Sequence, residues 1–158
     1  MPHLHATCVS INDSGVLLRG PPGSGKSDLA LRLIDSGGHL VADDQVLLAR
    51  VEDRVVARAP KALGGLLEVR GLGIVNAPSR RQAALVLVVD LAPGGTSERL
   101  PAPDNCCIEG IEIPRLVIAP RHASADAIIR LALRTLEENG SIAGALGDVG
   151  SAQRRVTV

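Results

Sequence analysis

A glycine-rich segment that ends in lysine and serine has the most specific chemistry in this sequence. Residues 20–27 match the pattern G-x-x-x-x-G-K-[ST] at every fixed position. In such a loop, backbone N–H groups and the N-terminus of a following helix surround a phosphate, the lysine adds positive charge, and the serine hydroxyl binds Mg²⁺. We therefore predict an ATP and Mg²⁺ site formed by Gly20, Pro21, Pro22, Gly23, Ser24, Gly25, Lys26 and Ser27.

Phosphoryl transfer also needs an acidic side chain beside such a loop, and the sequence offers two candidate positions. Asp90 ends an apolar run at residues 83–89 and has the pattern of a Walker B aspartate, whereas Asp43 and Asp44 follow residues 39–42. A carboxylate at either position would complete a Mg²⁺ site or accept the proton of the hydroxyl that is phosphorylated. The pattern alone slightly favours Asp90, and it leaves both positions open.

The elements predicted around the loop are a strand before it and a helix after it. Residues 16–18 indicate a short buried strand, and the spacing of Leu29, Ala30, Leu33 and Ile34 predicts a helix over residues 27–36. Further strands are predicted at residues 39–42, 45–51, 54–59, 66–69, 83–91, 107–113 and 115–118, and a last helix at residues 124–139. The predicted class is α/β, a single P-loop kinase domain with a central, mostly buried β-sheet flanked by helices.

Length and composition limit the domain organisation and the partners. The chain has 158 residues, which fits one domain, and we predict a catalytic domain at residues 1–140 with a flexible C-terminal tail at residues 141–158. There is no Phe, Tyr or Trp, and 17 basic residues balance 17 acidic ones. Because aromatic stacking and a net positive field are both missing, we do not expect nucleic acid as a partner.

The apolar runs are short, and the N-terminus does not have the pattern of a signal peptide. Residues 83–89 fall well below the ~18 apolar residues of a membrane-spanning helix. The three cysteines, Cys8, Cys106 and Cys107, are an odd number and two of them are adjacent, so reduced thiols are expected. These features predict a cytoplasmic protein without a membrane partner.

Two further motifs resemble the catalytic domain of the HPr kinase/phosphorylase family. Residues 38–44 read Gly-His-Leu-Val-Ala-Asp-Asp, and residues 67–76 read Leu-Glu-Val-Arg-Gly-Leu-Gly-Ile-Val-Asn. The second stretch is similar to the family's E-[IV]-R-G-L-G-I-[IV]-N motif, and it follows the first in the same order as in the family. The resemblance extends over about residues 4–138.

The resemblance implies roles for the acidic residues. Asp43 would activate the serine hydroxyl that is phosphorylated, or phosphate in the reverse direction, while Asp44 and His5 would help to position the site. Glu68 would join Ser27 on Mg²⁺. On this interpretation Asp90 has only a role at the edge of the core or in capping.

The resemblance also guides the choice among the arginines that flank predicted loops, Arg99, Arg115 and Arg121. Residues 120–125 lie where the family has V-R-P-G-R-N before its last helix, and they keep one arginine, Arg121. Because the transition state of phosphoryl transfer spreads negative charge over its oxygens, an arginine there would stabilise it. Arg121 is the first choice.

The implied activity is an ATP- and Mg²⁺-dependent kinase for a serine of HPr or a related phosphocarrier protein, with phosphorolysis as the reverse reaction. The family assembles as hexamers, so a homo-oligomer is expected. One alternative is a small-metabolite kinase, but such enzymes usually have an arginine-rich lid, and the predicted loop at residues 93–105 contains only Arg99. The other alternative is a scaffold that binds nucleotide without turnover.

Overall fold

The protein is described by a computed structural model that covers residues 3–96, 98–99 and 101–140. The strands are β1 (His3–Leu4), β2 (Thr7–Ile11), β3 (Ser14–Arg19), β4 (His39–Ala42), β5 (Val46–Val51), β6 (Arg54–Arg58), β7 (Leu66–Val69), β8 (Gly73–Asn76), β9 (Gln82–Leu91), β10 (Asn105–Ile108) and β11 (Ile111–Ile118). The helices are α1 (Lys26–Asp35) and α2 (Ala125–Asn139), with a 3₁₀ turn at Lys61–Leu63. The predicted flexible tail, residues 141–158, lies outside the described residues.

One large mixed sheet dominates the fold. Its strand order is β1-β5-β6-β9-β3-β2-β4, and β11 pairs with both β9 and β10. The central strand β9 runs parallel to β3 and β11, and its first residues pair with β6 while its last pair with β11. The strands β7 and β8 form a separate two-stranded hairpin. The predicted α/β class with a central sheet is confirmed.

The two faces of the sheet are covered in different ways. On one face, Leu29 and Leu33 of α1 and Ile129 of α2 pack in a single cluster with sheet residues such as Leu87. On the other face, the cluster is formed by strand residues of the curled sheet, among them Val88. Adjacent residues of β9 thus point into different cores, which confirms that this strand is buried on both sides.

The sheet brings three strand ends to one edge. The strands β3, β4 and β9 run in the same direction, because β3 and β9 pair in parallel while β2 lies antiparallel to both β3 and β4. The phosphate loop therefore leaves the sheet at the same edge as Asp43, which follows β4, and Asp90, which lies opposite Arg19. Both acidic candidates therefore lie at the edge of the sheet where the phosphate loop starts.

The strand boundaries after residue 104 differ from the prediction. The chain turns at Glu109 and Gly110, where φ is +51° and +80°, and β11 continues through Pro114. Pro114 is tolerated because β11 changes partner there, from Asn105 of β10 to Val88 of β9 through Arg115. In the described part of the chain, neither helix has the length and apolar character of a membrane span.

Candidate active site

The phosphate loop adopts the conformation that its glycines allow. Gly23 and Gly25 have φ of +80° and +103°, and Gly25 directly precedes α1, so the loop runs into the helix N-terminus. A side chain on Gly25 would also come within 3.2 Å of Pro120. The loop is closed by a bond from the Ser24 N–H to the Pro21 carbonyl at 3.0 Å.

Lys26 is buried at the base of the loop, with 6% of its surface exposed. Its ammonium group donates to the carbonyls of Gly20 at 2.7 Å and Pro21 at 3.2 Å. The charge is thus held inside the loop by backbone oxygens. Because these neutral acceptors can be exchanged for phosphate oxygens, the lysine is placed to bind an anion in the loop.

The Asp43 carboxylate contacts the phosphate loop directly. Its Oδ1 atom accepts hydrogen bonds from the hydroxyls of Ser27 at 2.8 Å and Thr7 at 3.0 Å. Its Oδ2 atom accepts the backbone N–H of Glu68 at 3.3 Å. Elements far apart in the sequence thus hold one carboxylate beside Ser27.

Packing explains why these elements meet. Strand β2 lies antiparallel to β4, with Cys8 opposite Ala42, so Thr7 sits beside the residue that follows β4. Leu67 is buried in the same core as α1, and this places Glu68 at the edge of the site. The side chain of Glu68 is exposed, while its backbone N–H orients Asp43.

Asp44 and His5 form a solvent-exposed pair next to Asp43. The His5 Nε2 atom lies 3.3 Å from Asp44 Oδ1, and these side chains are 50% and 62% exposed. Asp44 has φ of +70°, a left-handed conformation that is uncommon for a residue other than glycine. Its N–H contacts the Thr7 hydroxyl at 3.4 Å, so one buried hydroxyl links both aspartates.

The Ser27 hydroxyl fits a Mg²⁺ ion. It donates a hydrogen bond to Asp43 Oδ1 at 2.8 Å, which leaves the lone pairs of its Oγ atom for the ion. In the described residues, no group of three or more His, Cys, Asp or Glu side chains is arranged to hold a metal. A Mg²⁺ ion usually takes one or two protein carboxylates and completes its shell with phosphates and water.

Asp90, the other candidate, is held by arginines. Arg19 donates to it through two bonds of 2.7 and 2.9 Å, and Arg115 donates through one of 2.5 Å. Arg115 also donates to Asp104 at 2.5 Å. Burial favours the neutral form of Asp90, but the arginine bonds outweigh it and lower the pKa of this carboxyl. Asp90 therefore belongs to an ion-pair cluster with Arg19 and Arg115. The Ser27 hydroxyl of the phosphate loop contacts Asp43 and not Asp90.

The structure places the candidate arginines at different sites. Arg115 is engaged in the Asp90 cluster, and Arg99 is exposed in the loop between β9 and β10. Arg121 is exposed and directly follows the buried Pro120, which borders Gly25. Pro120 thus places the backbone of Arg121 beside the phosphate loop.

Sequence reasoning missed two residues that organise this site. Thr7 was detectable only as a hydroxyl residue at the start of a mostly apolar strand, and nothing in that pattern indicates Asp43 as its partner. Arg32 of α1 reads as an ordinary polar residue on the exposed side of a helix, yet it reaches the turn that carries Arg121.

Comparison with known proteins relates the chain to one family. The family model described as "HPr Serine kinase C-terminal domain" matches residues 1–130. The HPr kinase/phosphorylase of Burkholderia lata is 40% identical over 126 residues, covering 73% of this chain and 39% of that protein. The HPr kinase/phosphorylase of Clostridium tetani is 45% identical over 76 residues, covering 48% of this chain and 25% of that protein.

A solved structure has the same fold. The Hpr(Ser) kinase/phosphatase from Coxiella burnetii superposes with a TM-score of 0.78 at 25% identity, over 89% of this chain and 99% of that chain. The match to the two curated relatives, by contrast, spans between a quarter and two fifths of their length.

Proposed function

Since the chain belongs to the HPr serine kinase C-terminal domain family, we propose that it transfers the γ-phosphoryl group of ATP to a serine of HPr or a related phosphocarrier protein. The observation that carries this proposal is the 2.8 Å hydrogen bond between Ser27 of the phosphate loop and Asp43. It joins the phosphate-binding residues to a carboxylate that can receive a proton. Transfer to a hydroxyl needs both groups within the reach of one phosphoryl group.

Asp43 is the group that would accept the proton of the serine hydroxyl. A carboxylate oxygen accepts about two hydrogen bonds, and Oδ1 already accepts those of Ser27 and Thr7. Oδ2 accepts the Glu68 N–H, and no second donor to this atom lies among the described residues, so an incoming hydroxyl can use its other acceptor direction. The three bonds to Asp43 fix its orientation, which a general base requires.

The other residues would bind and position the phosphates. Lys26 would exchange the carbonyls of Gly20 and Pro21 for phosphate oxygens, and Arg121 would approach the transferred group from the turn beside Gly25. Ser27 and Glu68 are the residues that would hold Mg²⁺, which neutralises charge on the phosphates when bound.

The openness of the site fits a protein substrate. Asp44 and His5 lie at its rim with at least half of their side-chain surface exposed. A serine on the surface of a folded protein can therefore reach Asp43 without entering a closed cavity. We propose an HPr-type phosphocarrier as the partner on this basis together with the family.

The test is transfer of labelled phosphate from ATP and Mg²⁺ to the organism's HPr-type protein. We expect label on one serine, which mass spectrometry locates and a serine-to-alanine acceptor removes. Lys26→Ala and Asp43→Asn should each lower the rate by at least ~10²-fold, while Asp43→Asn keeps nucleotide binding.

Two outcomes would reject the proposal. If ATP binds but no phosphocarrier is labelled, the substrate is wrong, and a small-metabolite kinase or a nucleotide-binding scaffold must be tested instead. If Asp43→Asn transfers phosphate as fast as the wild-type protein, the assignment of the base is wrong.

A further inference from the structure

Arg32 connects the helix of the phosphate loop to the turn that carries Arg121. It lies on α1, the helix that begins at Lys26. One of its terminal nitrogens donates to the Pro120 carbonyl, and the other donates to the His122 carbonyl at 3.2 Å. The two bonds cross 88 and 90 residues of sequence, so they are tertiary contacts that helix periodicity does not predict.

These two carbonyls flank Arg121 in the chain. Pro120 is buried and borders Gly25, with 3.2 Å between its Cβ atom and the position that a Cβ on Gly25 would take. The Arg121 side chain itself is exposed. A residue held on both sides by one guanidinium has a fixed backbone position relative to α1, even though its own side chain is free to meet a ligand.

Two carboxylates, those of Asp28 and Asp126, lie near the positively charged guanidinium of Arg32. Its Nε atom lies 3.5 Å from Asp28, and one terminal nitrogen lies 3.9 Å from Asp126 in the first turn of α2. The side chain is 27% exposed. A lysine at this position would keep the positive charge near both carboxylates but not the planar pair of donors that reaches two carbonyls at once.

We propose that Arg32 is a positioning residue that holds Arg121 beside the phosphate loop during phosphoryl transfer. The inference rests on the proposed kinase function, with Arg121 as the arginine near the transferred group. One rigid helix then carries Lys26, Ser27 and Arg32, so the phosphate-binding residues and the Arg121 turn are kept in one frame. A displacement of about 1 Å between such groups is enough to slow a reaction ~10²-fold.

A double-mutant cycle, measured by kcat, tests whether Arg32 acts through Arg121. Arg32→Lys should lower kcat on the order of 10²-fold with little change in the KM for ATP. In an Arg121→Gln background, the same change should lower kcat less than about 2-fold, because its target is already gone. If Arg32→Lys lowers kcat by the same factor in both backgrounds, Arg32 acts independently of Arg121 and the proposal fails.

The matched control is Arg130→Gln. Arg130 also contacts Asp126, at 3.1 Å, but its hydrogen bonds go to a residue of α2 itself and not to the Arg121 turn. Its replacement should leave kcat within about 2-fold of the wild-type value. A similar loss in this variant would mean that the kinetic effect of Arg32 comes from the general charge balance around Asp126.

A distance measurement tests the geometry without any enzyme activity. Spin labels at Arg121→Cys and Asp35→Cys, both exposed positions, report the separation of the turn from α1. Cys106 and Cys107 are replaced by serine, and Cys8 can stay because it is buried and its pKa is raised to about 12. The distance distribution should be narrow with Arg32 and clearly broader with Arg32→Lys.

The two measurements separate failure of this inference from failure of the kinase proposal. If the wild-type protein does not phosphorylate HPr but the distribution broadens in Arg32→Lys, the proposed substrate is wrong and the positioning contact is supported. If the distribution is the same in both proteins, Arg32 does not hold the turn, whatever the kinase assay shows.

Discussion

Two aspartates lie at the same edge of the sheet, and their surroundings differ in the kind of hydrogen-bond donor. Asp43 accepts bonds from two hydroxyls and one backbone N–H, all of them neutral. Asp90 accepts three bonds from Arg19 and Arg115, both of them cationic. The sequence patterns around the two residues are alike, since each comes directly after apolar residues of a strand, 40–42 before Asp43 and 83–89 before Asp90.

The difference decides what each carboxylate can do. Cationic partners neutralise Asp90 and lower its pKa, which makes it a weak acceptor for a proton at neutral pH. Neutral donors orient Asp43 and leave its negative charge to attract a proton. We infer that Asp90 joins β3, β9 and β11 into one edge, and that Asp43 serves the reaction.

The largest expected difference between the two residues is in turnover. Asp43→Asn should lower kcat by ~10²–10⁴-fold, as the loss of a general base does, whereas Asp90→Asn should keep kcat within about 3-fold. Initial rates of HPr phosphorylation at saturating ATP measure both. Equal decreases of kcat in the two variants would mean that the two aspartates do not differ in function. A larger decrease in Asp90→Asn would make Asp90 the Walker B candidate again.

For stability, in contrast to turnover, Asp90 should matter more than Asp43. Asp90→Asn leaves Arg19 and Arg115, both less than a third exposed, without their carboxylate. It should lower the free energy of unfolding by about 2 kcal/mol, the scale of hydrogen bonds to charged groups. Urea unfolding at neutral pH measures this. Asp104→Asn is the control, since Asp104 is 55% exposed and its pair with Arg115 should be worth less than about 1 kcal/mol.

The contribution of Asp90 should disappear in acid. Its pKa is lowered in the folded protein, so its stabilising effect is present above the unfolded value of about 3.9 and is lost as the pH falls through the lower folded value. The difference in unfolding free energy between the wild-type protein and Asp90→Asn should be constant from pH 5 to 8 and shrink below about pH 4. A difference that vanishes near pH 6 would contradict the lowered pKa.

The smallest expected effect concerns the hydroxyl that links Asp43 to Asp44. Thr7→Val keeps the shape of this fully buried side chain but removes a donor to Asp43 and an acceptor for the Asp44 N–H. We expect a loss of about 1 kcal/mol in unfolding free energy and a decrease of about 5-fold in kcat. Thr7→Ser retains the hydroxyl and should restore most of the rate, which a simple packing defect would not allow.

Local sequence patterns predicted the parts of the site that depend on neighbouring residues. The glycine spacing in residues 20–27 demanded positive φ and a helix start, and both are present at Gly23 and Gly25. Strands such as β4 and β7 have the predicted bounds, because turn residues and apolar patterns act over a few residues. The α/β class followed from the order of these elements.

Other features were decided only when the chain packed. The residue pattern slightly favoured Asp90, and the resemblance favoured Asp43; the contact with Ser27 agrees with the second choice, because β2 and β7 bring Thr7 and Glu68 to the end of β4. The packing of both helices on one face, and the bonds of Arg32 to residues about 90 positions away, are likewise set by tertiary contacts. Spacing in sequence encodes backbone conformation, whereas the identity of a partner across the fold depends on which strands and helices become neighbours.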